Sequence, residues 1–305
     1  MNEKIKIFLE EMFSNHKLNQ LPESYGNSKI FSSPLIGVSS GEDEIYSKFK
    51  EIISPSYLTP VEIWKQNGFP EYKNLSSRLR IMSLVFPYVK NIRDEGQKNK
   101  GNIPPETYCL ARNFANSFMD EVYERAVSYF QSINFKVVSG IKSEGFHIIK
   151  EKTPFHIYST WSERHTAFAC GLGTFSLHEG LITEEGCNIR LASIITDAPL
   201  EITPRVNNDP FSNCLHFTGR TCGKCINKCP AGAITEKGHD KEKCSLYCRL
   251  VEEEMQKRRL KARLTSSIKI KNGKKRISYY VGCALCQFGV PCTDKNPIHS
   301  NRKIG

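Results

Sequence analysis

Apolar residues return at helical spacing from the start of the chain. Ile5, Phe8, Leu9 and Phe13 share one face, which predicts a helix over residues 3–13. Residues 18–34 are polar and rich in turn formers, and a second helical pattern over 43–53 is stopped by Pro55. Thr59 and Pro60 have the form of an N-cap followed by proline at the first helical position, with Gly68 as the stop, and predict a third helix. Residues 79–88 are β-rich and apolar and predict a buried strand of the main sheet. Residues 90–101 are charged and read as a surface loop. Pro104 and Pro105 open the longest helical pattern, 106–130, whose stripe is Leu110, Phe114, Phe118, Val122, Val127 and Phe130. Short strands are expected at 136–139 and 191–195, a short helix at 162–164 and a longer helix at 241–255. Residues 267–280 alternate around Asn272-Gly273, a hairpin signal. The two tryptophans, Trp64 and Trp161, read as packing residues, and Cys109 as a buried structural thiol.

A chain of 305 residues with 39% hydrophobic content suits one larger and one smaller domain. No apolar run approaches 18 residues, so no membrane span is expected. The N-terminus lacks the apolar stretch and small-residue cleavage site of a signal peptide, and a cytoplasmic protein is expected. The formal charge of +11 is concentrated between Lys257 and Arg276. Such a stretch is a solvated face, or it binds nucleic acid or an acidic redox protein.

The cysteines change the picture most. Cys222, Cys225 and Cys229-Pro230 have the spacing C-x2-C-x3-C-P, the tail of a bacterial ferredoxin run, and Cys214 lies eight residues upstream where Gly219 occupies the usual first position. A second half follows with Cys244 and then Cys283-x2-Cys286-x5-Cys292. Eight thiolates suit two [4Fe-4S] clusters. With the crossing of two-cluster ferredoxins, Cys214, Cys222, Cys225 and Cys292 hold one, and Cys229, Cys244, Cys283 and Cys286 the other. Gly223, Ala231 and Gly232 leave room for backbone N–H groups to approach sulfur. Paired C-x2-C units also make four-thiolate zinc sites, but the Cys-Pro and the additional thiols fit clusters better. Bound clusters, each carrying about two negative charges with its thiolates, make the loaded protein less basic than its formula.

Gly171 and Gly173 flank Leu172 in a segment with no third glycine for a dinucleotide fingerprint. The pair is either a turn needing positive φ or a backbone lying close to a flat cofactor.

Three blocks together resemble the epoxyqueuosine reductase family, which is related to the catalytic core of reductive dehalogenases. They are Ser162-Glu163-Arg164 leading to Gly171-Leu172-Gly173, the strand that ends Thr196-Asp197-Ala198-Pro199-Leu200-Glu201, and the cysteine framework with Cys244 in Lys-Cys-Ser-Leu-Tyr. The likeness covers roughly residues 155–295. It implies an α+β chain: an N-terminal α/β, nitroreductase-like corrinoid-binding domain over 1–204, then a two-cluster ferredoxin-like domain over 205–305. It also implies a base-off cobalamin, with Gly171, Leu172, Gly173 and Thr174 as its contacts, reduced through the clusters to a nucleophilic cobalt.

The chain departs from that pattern. Ile157 stands where the family carries a catalytic aspartate. Tyr158 is the adjacent candidate proton donor, with His165 and His156 in the same segment. The family's C-terminal repeat extension is absent from the sequence. The expected function is an iron–sulfur, cobalamin-dependent reductase carrying out a reductive elimination or deoxygenation. It would take electrons from a ferredoxin or flavodoxin type of donor, with tRNA or a corrinoid protein as a further partner. The alternative is an electron-transfer protein, or a reductive activator of a partner corrinoid protein with no small substrate of its own.

Overall fold

The computed structural model describes residues 2–151, 157–271, 274–279 and 281–299; for 266–271 and 274–278 it describes the backbone alone. In chain order, helix α1 (Asn2–Asn15) precedes strand β1 (Leu35–Ser40), helices α2 (Ile45–Ile52), α3 (Pro60–Gln66) and α4 (Leu75–Arg78), and strand β2 (Arg80–Pro87). Helices α5 (Lys90–Lys98) and α6 (Glu106–Ser132) lead to strands β3 (Val137–Val138), β4 (Ile148–Lys150) and β5 (Ile157–Ser159). Helix α7 (Glu163–Ala169), the hairpin β6 (Thr174–Phe175) and β7 (Leu181–Ile182), and strand β8 (Ile189–Thr196) follow. The remainder holds helix α8 (Lys224–Lys228), strands β9 (Ile234–Thr235) and β10 (Gly238–His239), helix α9 (Lys241–Lys257), and strands β11 (Ser266–Lys271) and β12 (Lys274–Tyr279).

Four strands form the main sheet in the order β1-β2-β8-β3, and every pairing is antiparallel. The first 204 residues are therefore α+β in character rather than α/β, because no parallel crossover is present among the described strands. Strand β2 is central and covered on both sides, which is why its sequence is a continuous apolar run. Its alternate residues go to different layers. Met82, Leu84 and Phe86 meet α1 and α6, while Ile81 faces the layer that holds Phe49, Trp64, Trp161 and Phe168. Both tryptophans are fully packed, as expected.

Helix α3 starts on the expected cap. Thr59 Oγ1 accepts from Glu62 N, and Glu62 Oε2 accepts from Thr59 N at 2.8 Å, a capping box worth about 1 kcal/mol. Residues 90–98 are helical, not a loop. Only Ile92, Arg93 and Gly96 of α5 are buried, and the polar outer face hides the pattern. A β-carbon at Gly96 would overlap the Phe288 ring, so glycine lets this helix close on the cysteine-rich region. Val251 and Met255 of α9, with Phe288, join the same core as α1 and α6. After β8 the chain runs back along β1, with Thr203 N donating to Val38 O at 2.8 Å and Val38 N to Thr203 Oγ1 at 3.1 Å. The hairpin of β11 and β12 forms as expected, its turn residues 272–273 lying outside the described residues. Among the described residues no helix is long and apolar enough to cross a membrane.

Candidate functional site

A cleft of about 990 Å³ opens between α2, β5, α7, β6 and the segment 205–211. Phe49, Ile157, Phe168, Phe175 and Phe211 form its apolar walls, and Tyr158, Arg164, His165, Glu179 and Lys241 supply polar groups. This is the size, with apolar walls and a few polar groups, of a site for a large small-molecule ligand or cofactor.

Two of the candidate acids, Tyr158 and His165, face this cleft, and Ile157 lines it as well. The Tyr158 hydroxyl donates to Glu151 Oε1 at 2.9 Å. His165 Nδ1 shares a 2.7 Å hydrogen bond with Ser162 Oγ, and its ring packs between Phe49 and Phe175. Burial, with Arg164 and Lys241 nearby, pushes the His165 imidazole down to about 3. It is a neutral wall of the cleft at physiological pH and a poor acid. His156 lies outside the described residues.

Gly171 to Thr174 are not part of the lining, whereas Phe175 and Ser176 are. Gly171 has φ of 74° and turns the chain after α7, as one of its two readings required. Gly173 packs against the backbone of Ile182, and Thr174 Oγ1 accepts from Asn213 N at 2.8 Å. The segment thus anchors the cleft wall to the cysteine-rich region.

At the end of the cleft Glu179 gathers Lys241 at 3.7 Å, His239 at 3.5 Å and Arg164 at 3.9 Å. Burial opposes its charge, but His239, Lys241 and Arg164 together hold the carboxylate below its ordinary range. Lys241 and Arg164, two cations around one carboxylate, leave this end of the cleft net positive.

Directly behind Ser176 is a second, smaller cavity, lined by Leu177, His178 and Val290 and by all four thiols of the first set: Cys214, Cys222, Cys225 and Cys292. Ser176 lines both cavities. Burial, then Cys292, Cys214 and Cys222, pushes the Cys225 thiol up to about 12, as expected where thiols crowd together with no cation between them. The second set also converges. Cys286 is raised by burial and then by Cys283 and Cys229, and Cys244 has Cys248, Cys286 and Cys283 as neighbours. The Ala233 N–H donates to Cys229 Sγ at 3.3 Å.

Two thiols at these sites carry no spacing signal. Cys248, one helical turn from Cys244, joins the second group, and Cys187 lies 3.8 Å from Cys292, sulfur to sulfur. Cys170 stands apart from both thiol sets, while Cys109, outside the ligand spacing, has Cys283 of the second set as a neighbour. Cys109 packs in the main core, Cys170 Sγ reaches Ile81 O at 3.3 Å, and burial pushes each thiol up to about 12.

The donor sets fit iron–sulfur clusters. Thiols converge in largely apolar surroundings, and a guanidinium adjoins a thiol next to each set. Arg93, 6% exposed, leaves Nε and Nη2 without partners and has Cys187 beside it, while Arg112 adjoins Cys248. Orphaned buried donors of this kind suit a neighbouring anion. The basic stretch contributes Lys257, Arg258, Arg259, Lys261 and Arg263 to the described residues; the side chains of Lys269, Lys271, Lys274, Lys275 and Arg276 lie outside them.

No protein-family model matches this chain, and no curated protein matches it. Among solved structures it is similar to epoxyqueuosine reductase from Bacillus subtilis, at 16% identity and TM-score 0.42, over 86% of this chain and 62% of that one. It is similar to epoxyqueuosine reductase with an epoxyqueuosine-modified tRNA-Tyr stem loop, at 14% identity and TM-score 0.41, over 82% and 57%. It is also similar to the catabolic reductive dehalogenase NpRdhA, at 12% identity and TM-score 0.48, over 88% and 31%. The chain spans less than two thirds of the length of each of these proteins.

Proposed function

We propose that this chain is an iron–sulfur oxidoreductase of the corrinoid-dependent kind, acting in a reductive elimination or deoxygenation in the cytoplasm. One observation carries the reading: Ser176 lines both a four-thiol cavity and a cleft of cofactor size. In this reading Cys214, Cys222, Cys225 and Cys292 hold one [4Fe-4S] cluster, and Cys229, Cys244, Cys283 and Cys286 the other. Residues 205–305 make the cluster domain and 1–204 the cofactor and substrate domain. When bound, the clusters supply low-potential electrons and the cobalamin a reducible cobalt centre.

The chain's own residues exclude water and manage the proton. Phe49, Phe168, Phe175 and Phe211 give the cleft apolar walls from which a bound cofactor displaces water. With His165 held neutral, Tyr158 is the proton donor, and the Glu151 carboxylate at the solvent edge takes up a proton from water and passes it to the tyrosinate left behind. Gly171 to Thr174 position the wall carrying Phe175 and Ser176. Ile157 in place of an aspartate sets this chain's substrate apart from epoxyqueuosine. A low-potential donor of the ferredoxin or flavodoxin type supplies electrons, and the basic stretch from Lys257 is the surface for a tRNA or an acidic protein partner.

The test is an anaerobic visible spectrum with and without added cobalamin, alongside iron and cobalt analysis. About eight irons per chain and a base-off shift of added cobalamin are expected. Eight irons with no cobalamin response would favour an electron carrier or activator of another corrinoid protein, and a chain without iron would end the reading.

A further inference from the structure

Behind the Cys292 sulfur lies a group of buried side chains that the proposed ligand set does not use. Cys187 is 2% exposed and His178 5% exposed. The Cys187 and Cys292 sulfurs are 3.8 Å apart, and His178 Nε2 is 4.0 Å from Cys292 Sγ. The backbone fixes this approach: Cys187 N donates to Cys292 O at 2.8 Å and Asn188 N to Thr293 O at 3.2 Å.

The three side chains could be taken for a mononuclear metal site, since their ligand atoms all lie within 4.8 Å of one another. The sulfur spacing even suits it, because a tetrahedron with bonds of roughly 2.3 Å has edges of about 3.8 Å. The histidine argues otherwise. Its Nδ1 accepts a hydrogen bond from Gly180 N at 3.2 Å, which leaves the ring proton on Nε2, facing Cys292. A metal-bound histidine has the reverse arrangement: the free nitrogen donates and the bound one is bare. The Nε2–H and the Cys187 S–H therefore both point their protons at one sulfur. Arg93 stands behind Cys187, with Nε and Nη2 unpartnered and its nearest carboxylate, Glu185, 3.8 Å from Nη1. Asp294 also faces it, so the cation is partly but not fully offset.

We infer that Cys187, His178 and Arg93 are positioning residues that raise the reduction potential of the cluster bound by Cys292. The inference rests on the iron–sulfur reading above. Reduction adds an electron to the cluster and its thiolates. Hydrogen-bond donors to a ligand sulfur and a buried cation nearby favour the more negative state. The effect is strongest on this cluster: Cys187 and His178 reach the Cys292 sulfur directly, whereas Cys286 of the other set is felt by Cys187 only as a weaker, more distant charge. His178 lines the four-thiol cavity together with Ser176, the residue shared with the cleft.

The experiment is a potentiometric titration of the purified, cluster-loaded full chain followed by electron paramagnetic resonance, with iron counted for each variant. Cys187→Ala, His178→Leu and Arg93→Met should each keep the parent's iron and move the potential of one cluster downward by clearly more than that of the other. Arg93→Lys should restore most of the shift and so keeps the test usable if Arg93→Met folds poorly. Unmoved potentials with both clusters present, or equal shifts of both, would overturn the tuning role alone. Loss of about half the iron in Cys187→Ala would make Cys187 a ligand and overturn it as well. A parent chain with no iron would sink the iron–sulfur reading itself, and this inference with it.

Discussion

Arg205 grips Asp43 across the mouth of the cleft, Nη1 to Oδ2 at 2.7 Å and Nη2 to Oδ1 at 3.3 Å. The pair ties the segment after β8 to the start of α2, and both side chains are about four-fifths buried, at 19% and 23% exposure. Arg205 Nη1 also donates to Ala169 O at 3.1 Å, and its guanidinium lies over the Phe168 ring. A two-point, partly buried pair should couple by about 1–2 kcal/mol. A double-mutant cycle of Arg205→Ala and Asp43→Ala in urea unfolding measures this term. A coupling near zero would mean that the Ala169 and Phe168 contacts hold the segment without Asp43.

The two thiol sets make a prediction about iron. Cys225 is crowded by Cys292, Cys214 and Cys222, so Cys225→Ser should remove about half of the iron and loosen the C-terminal region, because cluster binding and folding are coupled. Cys109→Ser and Cys170→Ser should leave the iron unchanged, since Cys170 is packed in a separate core and Cys109, though it neighbours Cys283, is packed in the main core outside the ligand spacing. Iron analysis of the three variants is sufficient. Full iron in Cys225→Ser, or half in either of the others, would redraw the ligand set.

Elements with a strong local signature are legible in the chain. The Thr59-Pro60 start of α3, the stripe of α6 and the apolar run of β2 all form where their patterns predict. Helix α5 is missed because burial of Arg93 and Gly96 depends on partners far along the chain, Glu185 and Phe288 among them. The cysteine spacing brings the first four thiols to one cavity, yet says nothing of Cys187, whose role follows from a contact across 105 residues. Tyr158 and His165 are found from their place in the segment, but only the three-dimensional surroundings separate a neutral imidazole from a usable acid.

Glu163 gives a pH dependence with a definite sign. Both of its carboxylate oxygens are buried without a hydrogen-bond partner, and Ser193 and Trp161 stand beside it out of hydrogen-bonding geometry. Burial raises the carboxyl from its ordinary 4.5 to about 7. Between those values the folded chain holds a proton that the unfolded chain has released. Its contribution is therefore fully present at low pH and lost as pH rises through about 7, by about 3 kcal/mol in all. Glu163→Gln removes this slope and should be more stable than the parent at pH 8, while gaining little at pH 5. Urea unfolding at the two pH values is the check, and an equal difference at both would show that Glu163 is ionised in the fold.

Tyr158 and Glu151 supply the sharpest functional prediction. The hydroxyl that donates to Glu151 belongs to a residue of the cleft wall, so one side chain spans reaction space and solvent edge. Tyr158→Phe keeps the ring and removes the proton. Turnover should fall by roughly 100- to 10,000-fold, the usual contribution of a positioned acid, with iron content and cobalamin binding unchanged. Glu151→Gln tests the other end of the path. It leaves the tyrosine proton in place and slows only its replacement, so a single turnover should proceed at the parent's rate while steady-state turnover drops. If Tyr158→Phe retains full activity, the donor lies elsewhere in the cleft. If Glu151→Gln slows the first turnover as much as later ones, Glu151 orients the hydroxyl and does not refill it.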